Sequence, residues 1–310
     1  MALKRLEAAI NLRDTIKSVV KDHLTTGHKA YGQCLTAVGW VGGTLPEMYE
    51  EHGMVELSMA DVAGGGFVVG AALAGGRPMY IIRYQGFNWF NAPIILNYAC
   101  KSKELWGRAC PVFIRSIAME GAIGPVAGSS HHSLYFRMPG VKIFSPMTPL
   151  EYRDCYRRFM EDDEVYYISE HREAFGSSNE LPDVLEDSPD FVLLPISITR
   201  FAAMEAIKSL AADHGLRVSV IHQFQLKPYI LKAASQVASA KYGSVVIDDD
   251  YPDGIARSIA QRYHESIPAC KPVYSLGLDD RTAGFAPHLD NLPPSPQKIV
   301  EFVLSKCNRE

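Results

Sequence analysis

A carboxylate and two imidazoles carry the chemistry legible in this chain. Asp61 follows the apolar run Val55-Glu56-Leu57-Ser58-Met59, which reads as a strand. After it comes a small-residue segment from Ala63 through Gly64-Gly65-Gly66 to Gly70-Ala71-Ala72. Small residues let a helix approach neighbouring backbone closely. A carboxylate at the end of a strand sits where open α/β sheets place their ligands. At the same spot an Asp can instead cap the following helix. His131-His132 lie in a Gly/Ser-rich loop, Gly128-Ser129-Ser130 before them and Ser133 after. A loop imidazole donates to an oxyanion or shuttles a proton near neutral pH, or is simply solvated. Tyr84, Phe87, Trp89 and Phe90 crowd between them. A flat aromatic ring near a carboxylate suits a flat heterocycle, but the same rings also serve as core, and which one would stack is open.

Other patterns are weaker. The glycines Gly64, Gly66 and Gly70 are spaced G-x-G-x-x-x-G, which misses the dinucleotide fingerprint. Asp248-Asp249-Asp250 follows the strand-like Val245-Val246-Ile247 and reads as a solvated strand end or turn rather than a cation site. The six cysteines contain no CxxC pair, which suits a reduced, cytoplasmic protein with mostly buried thiols. A formal net charge of −4 argues against nucleic acid as a partner. No apolar run is of membrane-spanning length, and Met1-Ala2-Leu3-Lys4-Arg5-Leu6-Glu7 lacks the apolar region of a signal peptide.

These residues need a scaffold. The chain is 310 residues long with 47% hydrophobic and 21% charged residues, enough for two well-cored domains. Residues 2–24 read as an amphipathic helix. Strand-like segments fall at 55–59, 79–84, 111–116, 141–144 and 164–168. A helix over 149–160 has Thr148 as its cap. Turn-rich sequence at 175–195 marks a domain boundary. Beyond it, helix 201–212, strand 216–221, helix 229–240, strand 243–247 and helix 255–263 repeat the α/β rhythm. Strands alternating with helices indicate mainly parallel sheets.

The segment from Asp61 to Ala74-Gly75-Gly76-Arg77-Pro78 resembles the pyrimidine-binding domain of thiamine diphosphate enzymes. The likeness is to the beta subunit of 2-oxo acid dehydrogenases and the C-terminal half of transketolase. It continues through Phe87-Asn88-Trp89-Phe90, through Gly124-Pro125-Val126-Ala127-Gly128-Ser129-Ser130-His131-His132-Ser133, and through Pro139-Gly140-Val141-Lys142-Ile143-Phe144-Ser145-Pro146. The C-terminal half, ending in Gly284-Phe285-Ala286-Pro287 and Pro296-Gln297-Lys298-Ile299-Val300, resembles the transketolase C-terminal domain.

The resemblance implies two three-layer α/β domains, a thiamine diphosphate-binding (pyrimidine) fold over 1–180 and a transketolase C-terminal-like domain over 190–310. It implies Asp61 as the acid on the cofactor's aminopyrimidine, where the family normally has Glu, with Phe87 against the ring and Gly64 and Tyr84 as further contacts. It implies His131 and His132 as active-site imidazoles, in a loop shorter than the family's. The family holds the diphosphate and its magnesium on a Gly-Asp-Gly segment, which this sequence lacks. The implied partner is therefore an alpha-type subunit that binds magnesium, in a heterotetramer of two alpha and two beta chains. The implied substrate is a small 2-oxo acid or ketose. The alternative is a non-catalytic or regulatory partner in which Asp61 marks a decayed site.

Overall fold

The computed structural model describes residues 10–121, 127–232 and 234–307. In chain order the strands are β1 (Ala30–Gln33), β2 (Met54–Leu57), β3 (Met79–Ile82), β4 (Phe113–Ala118), β5 (Val141–Phe144), β6 (Val165–His171), β7 (Phe191–Pro195), β8 (Val218–Val220), β9 (Gln225–Lys227), β10 (Gly243–Ile247) and β11 (Val273–Leu276). The helices are α1 (Leu12–Thr25), α2 (Ala37–Gly43, left-handed from Val38 to Gly42), α3 (Asp61–Leu73), α4 (Asn88–Ile94), α5 (Cys100–Trp106), α6 (Ser133–Phe136), α7 (Pro149–Met160), α8 (Thr199–His214), α9 (Ala234–Ser239), α10 (Ile255–Ser266) and α11 (Pro296–Cys307).

Two sheets organise the chain. The first runs β2-β1-β3-β4-β6-β5-β9 and the second β11-β10-β7-β8. Every pairing is parallel except β5 with β9. Side chains alternate across each pleat, so both faces of a central strand are buried. On β4, Phe113 and Ile117 pack with Ile16 and Val20 of α1 and Tyr152 and Phe159 of α7. Ile114 faces the other way, toward Val68 and Val69 of α3. That second cluster continues into the other sheet, taking in Val192, Leu194 and Val246 with Ile255 and Ile259 of α10. Phe191 and Leu193 face a third cluster with α8 and α11. The two three-layer domains therefore share one apolar layer.

A buried ion pair also links the two domains. Arg200 of α8, fully buried, donates two hydrogen bonds to Glu151 of α7 at 2.8 and 2.6 Å. Within the first sheet, Arg115 on β4 and Glu170 on β6 pair through Nε and Nη2 at 2.7 and 2.9 Å, with Tyr152 donating to the same carboxylate at 2.9 Å.

Several elements differ from expectation. β1 was not anticipated, and β7 emerges where turn-rich sequence indicated only a boundary. β9 was also unforeseen: a segment of the C-terminal half crosses over and closes the edge of the first sheet beside β5. The helix expected over 229–240 is confined to Ala234–Ser239. Of the helix expected over 2–24, α1 begins at Leu12 under an Asn11 cap, and residues 2–9 lie outside the described residues. The Thr148 cap is as expected, its side chain accepting from Glu151 N.

Candidate active site

The crossing of the chain creates a cleft. From β1 the chain passes outward to β2, then returns to β3 on the opposite side of β1. Loops that leave in opposite directions open a crevice at the carboxyl ends of such strands. A cavity of about 220 Å³ lies there, lined by Gln33 and Cys34 after β1, Met59 and Asp61 after β2, and Tyr80, Arg83, Tyr84, Phe87 and Asn91 on and after β3. A cavity of about 150 Å³ accepts benzene, so this one admits a substituted six-membered ring.

Asp61 is the first residue of α3, whose N-cap is Ala60 with no side-chain capping bond. The helix-cap role weighed for Asp61 is thus not what the side chain does. Its Oδ1 accepts from Asn91 Nδ2 at 2.9 Å. Asn91 also donates to Phe87 O at 3.0 Å and accepts from the Tyr80 hydroxyl. The buried Tyr80 and Asn91 and the half-buried Asp61 therefore form one hydrogen-bonded chain along the cavity wall. Burial, and then the Asp61 charge, raises the Tyr80 hydroxyl pKa well beyond its usual range, so it stays a donor. The second oxygen of Asp61 has no hydrogen-bond partner among the described residues and is available to a ligand.

Tyr84 and Phe87 are neighbours in the cavity lining, with ring centroids 5.8 Å apart and planes tilted by 39°. Phe87 is half-buried, whereas Trp89 and Phe90 are 59% and 54% exposed and do not line the cavity. The ring choice left open by sequence narrows to Phe87 and Tyr84. Gly64 does not line the cavity either. A Cβ there would stand 3.0 Å from the Tyr80 hydroxyl and 3.5 Å from Leu57 Cδ1. Its contribution is to let α3 close onto Tyr80. Asn91 was missed by sequence reasoning, because an Asn thirty residues from Asp61 carries no local signal.

The histidine pair divides. His131 is partly exposed. Its backbone N–H donates to Gln85 Oε1 at 2.7 Å, Trp89 Nε1 lies 3.4 Å from its Nδ1, and Ser129 Oγ 3.3 Å from its Nε2. Burial lowers its pKa, opposed by Asp250. His132, expected on a polar loop, is fully buried. Its Nδ1 lies 3.1 Å from Ser169 Oγ and its Nε2 2.7 Å from Asp248 Oδ2. Burial disfavours its charge, but Asp248, with Asp250 and Asp249 behind it, outweighs burial and raises the pKa to about 9. Asp248, Asp249 and Asp250 are themselves buried, not a solvated turn. Two His residues adjacent in sequence thus have opposite environments, one open toward Trp89 and one locked between domains. Neither lines the cavity itself, and Gly124-Pro125-Val126 of the same motif lie outside the described residues.

The cavity at the carboxyl ends of β1 and β3 is thus lined by an acid and two flat rings. Residues 32–177 match the family described as "Transketolase, pyrimidine binding domain". The matched region resembles such a domain. It contains Asp61, Tyr84, Phe87 and both histidines. The chain is similar along most of its length to beta subunits of 2-oxo acid dehydrogenases and related enzymes. It is 25% identical to the acetoin:2,6-dichlorophenolindophenol oxidoreductase subunit beta of Cupriavidus necator, over 93% of this chain and 90% of that one. It is 22% identical to the 2-oxoisovalerate dehydrogenase subunit beta of Bacillus subtilis, over 78% and 80%. It is 21% identical to the pyruvate dehydrogenase E1 component subunit beta of Rickettsia felis, over 96% and 98%. Its fold matches a solved structure titled "Split gene transketolase, inactive beta4 tetramer" with a TM-score of 0.73 at 18% identity, covering 97% of this chain and 99% of the other. Among the described residues no helix is long and apolar enough to cross a membrane.

Proposed function

We propose that this chain is the beta-type subunit of a two-component thiamine diphosphate enzyme acting on a small 2-oxo acid or ketose. The observation that carries the reading is the cavity lined by Asp61, held by Asn91, and by Tyr84 and Phe87. The residues fit the pyrimidine half of the cofactor: a carboxylate oxygen for a ring nitrogen, aromatic faces for stacking, and room for a six-membered ring. When bound, thiamine diphosphate supplies a nucleophilic carbon and takes up the electrons of the bond broken beside a carbonyl.

Asp61 holds the aminopyrimidine ring nitrogen and so fixes its protonation state; Asn91 aims the carboxylate. Phe87 and Tyr84 orient the ring and exclude water. His131, beside Trp89, moves a proton to or from the substrate oxygen. His132 is bound on both nitrogens, so its role is to orient the loop.

The diphosphate and its magnesium belong to an alpha-type partner. The cavity lining includes a single carboxylate, Asp61, whereas magnesium takes several hard oxygen ligands. The outer faces of α3, α4 and α5 support a partner: Val62, Phe67, Trp89, Phe90, Leu105 and Trp106 are all at least half exposed. A helix as apolar all round as α3 is normally covered. An assembly of two alpha and two beta chains follows the family pattern. We place the boundary of the two domains at 180–190, giving 1–180 and 190–310, between the end of β6 and the start of β7.

Co-expression with a Gly-Asp-Gly-bearing alpha-type chain encoded nearby tests the reading. The purified complex is assayed on pyruvate, 2-oxoisovalerate and acetoin with 2,6-dichlorophenolindophenol, and on ketoses with an aldehyde acceptor. The expected result is turnover that needs both chains, thiamine diphosphate and magnesium. A complex that binds the cofactor but turns over nothing supports the non-catalytic alternative.

A further inference from the structure

Three consecutive aspartates leave β10 at its carboxyl end and reach the Ser130–Ser133 loop of the other domain. Each holds a different residue. Asp248 Oδ2 lies 2.7 Å from His132 Nε2, Asp249 Oδ2 accepts from Ser130 Oγ at 2.8 Å, and Asp250 Oδ2 accepts from Ser133 Oγ. Ser130 N also donates to Asp249 O at 3.1 Å. The aspartates are aimed by their own backbone: Asp248 Oδ1 accepts from Asp249 N at 2.9 Å, and Asp250 Oδ1 from Tyr251 N at 2.7 Å. Ser133 Oγ further accepts from Ile255 N at 2.8 Å, at the start of α10.

Burying three adjacent carboxylates is costly, and an apolar patch would join two domains without that cost. A cation does not account for the cluster. His132, Asp248 and Asp250 lie close enough together to hold one, but both oxygens of Asp248 and of Asp250 are already engaged. What the arrangement does achieve is asymmetric. Of the four loop residues, His131 alone is held by no aspartate. Its backbone is pinned on either side, and from the front by Gln85 Oε1 at 2.7 Å. Gln85 in turn is fixed by Ser169 Oγ at 2.7 Å and Ser116 O at 3.2 Å. Only the His131 ring, between Trp89 and Ser129, keeps an open side.

We propose that Asp248, Asp249 and Asp250 are positioning residues, an orienting clamp through which the second domain sets where the His131 imidazole stands. The inference rests on reading His131 as the proton-transferring imidazole, and it makes the second domain part of the active site's geometry. The charged and titratable groups facing His131 are Asp249 and Asp250 from the β10 end and His132 from its own loop; the Tyr251 ring lies 6.2 Å away.

The test uses the full-length chain with isotope-labelled histidine, the His131 resonance being assigned with His131→Gln. Ser130→Ala combined with Ser133→Ala removes two clamp bonds without changing charge. With the loop released and the His131 ring more fully in water, the desolvation that lowers its pKa is relieved, and it should titrate upward, toward the ordinary value near 6.5. In the assembled enzyme, kcat should fall by about 100-fold, the scale for a catalytic group misplaced by ~1 Å, with KM nearly unchanged. Asp250→Asn and Asp250→Ala remove the same charge, but only Asn keeps an acceptor for Ser133; Asn should retain far more turnover than Ala. This pair decides the matter if the serine double variant does not fold. Unchanged titration and kcat in a folded double variant, or equal Asn and Ala variants, would overturn the clamp. A shifted titration with normal turnover leaves the clamp standing and removes His131 from the proton transfer.

Discussion

On the proposed reading, the Asp61 carboxylate is placed from the side, by Asn91, rather than by the length of the acid. Asn91 holds one carboxylate oxygen at 2.9 Å and is itself held by Tyr80. Asp61→Asn keeps the size and removes the charge. The variant should fold normally and suppress activation of the cofactor, measured as slowed hydrogen–deuterium exchange at the thiazolium carbon in the assembled enzyme. Normal exchange would withdraw Asp61 from the chemistry. Asn91→Ala loses a hydrogen bond to a charged group, worth about 1.5–3 kcal/mol, and should slow exchange in the same direction while leaving Asp61 in place. Phe87→Ala should weaken cofactor binding by roughly 1–3 kcal/mol, by analogy with bases stacked on aromatic side chains. Unchanged affinity in titration calorimetry would move the stacking role to Tyr84.

At the scale of elements, α3 and the histidine loop are tied down by different physics. α3 relies on close approach: Gly64 and Gly65 would place a Cβ at 3.0 Å from Tyr80 Oη and 3.4 Å from Asn91 O, respectively. Gly64→Ala should therefore destabilise the fold by about 1–3 kcal/mol, the usual cost of overpacking, and disturb Asp61 through Tyr80 and Asn91. Gly66 and Gly70 meet nothing within 4 Å. Gly66→Ala or Gly70→Ala should stabilise the isolated chain by roughly 0.5–1 kcal/mol, and should weaken the complex if a partner helix seats there. Chemical denaturation and partner titration separate the two effects.

The loop relies on charge. The folded-state pKa of His132 is raised to about 9, against 6.5 for an unperturbed imidazole. Its contribution is complete below about pH 6.5 and is lost as pH rises through about 9. Burial raises the Asp248 carboxyl too, to about 7, so its own proton linkage falls below this window. Thermal unfolding should show stability falling from pH 7 to pH 10 by about 2–4 kcal/mol, the worth of a shift of two to three units. His132→Gln should flatten that dependence. A pH-independent midpoint in the wild type would mean that the pair carries no proton linkage.

For the whole molecule, the domains are joined by a shared apolar layer and by buried charge, so they should unfold together. Glu151→Ala leaves the fully buried Arg200 guanidinium without its carboxylate. Breaking such a pair costs about 3–5 kcal/mol, and a denaturation curve should show the loss in a single transition. The chain alone should bind thiamine diphosphate weakly or not at all, since magnesium needs ligands beyond Asp61. Calorimetry with magnesium present checks this; micromolar affinity of the isolated chain would sink the two-component reading.

What could be read from sequence alone was local. The run from Asp61 through the small residues to Arg77-Pro78 encodes strand end, close-packed helix and break within twenty residues, and these fell into place as β2, α3 and β3. The Thr148 cap and the amphipathic α7 are likewise local signals. Tertiary structure decided what depends on distant partners. β9 is three residues long and becomes a strand only because β5 offers an open edge. Asn91 matters because α3 and α4 pack together. His131 and His132 are neighbours of the same type, and nothing in their sequence tells them apart. The fold separates them because one ring turns toward Trp89 while the other meets Asp248, 116 positions away. A run of three aspartates signals water-facing charge on sequence grounds, since burying charge is unfavourable unless each one finds a partner. Here each partner is supplied by a loop of the other domain.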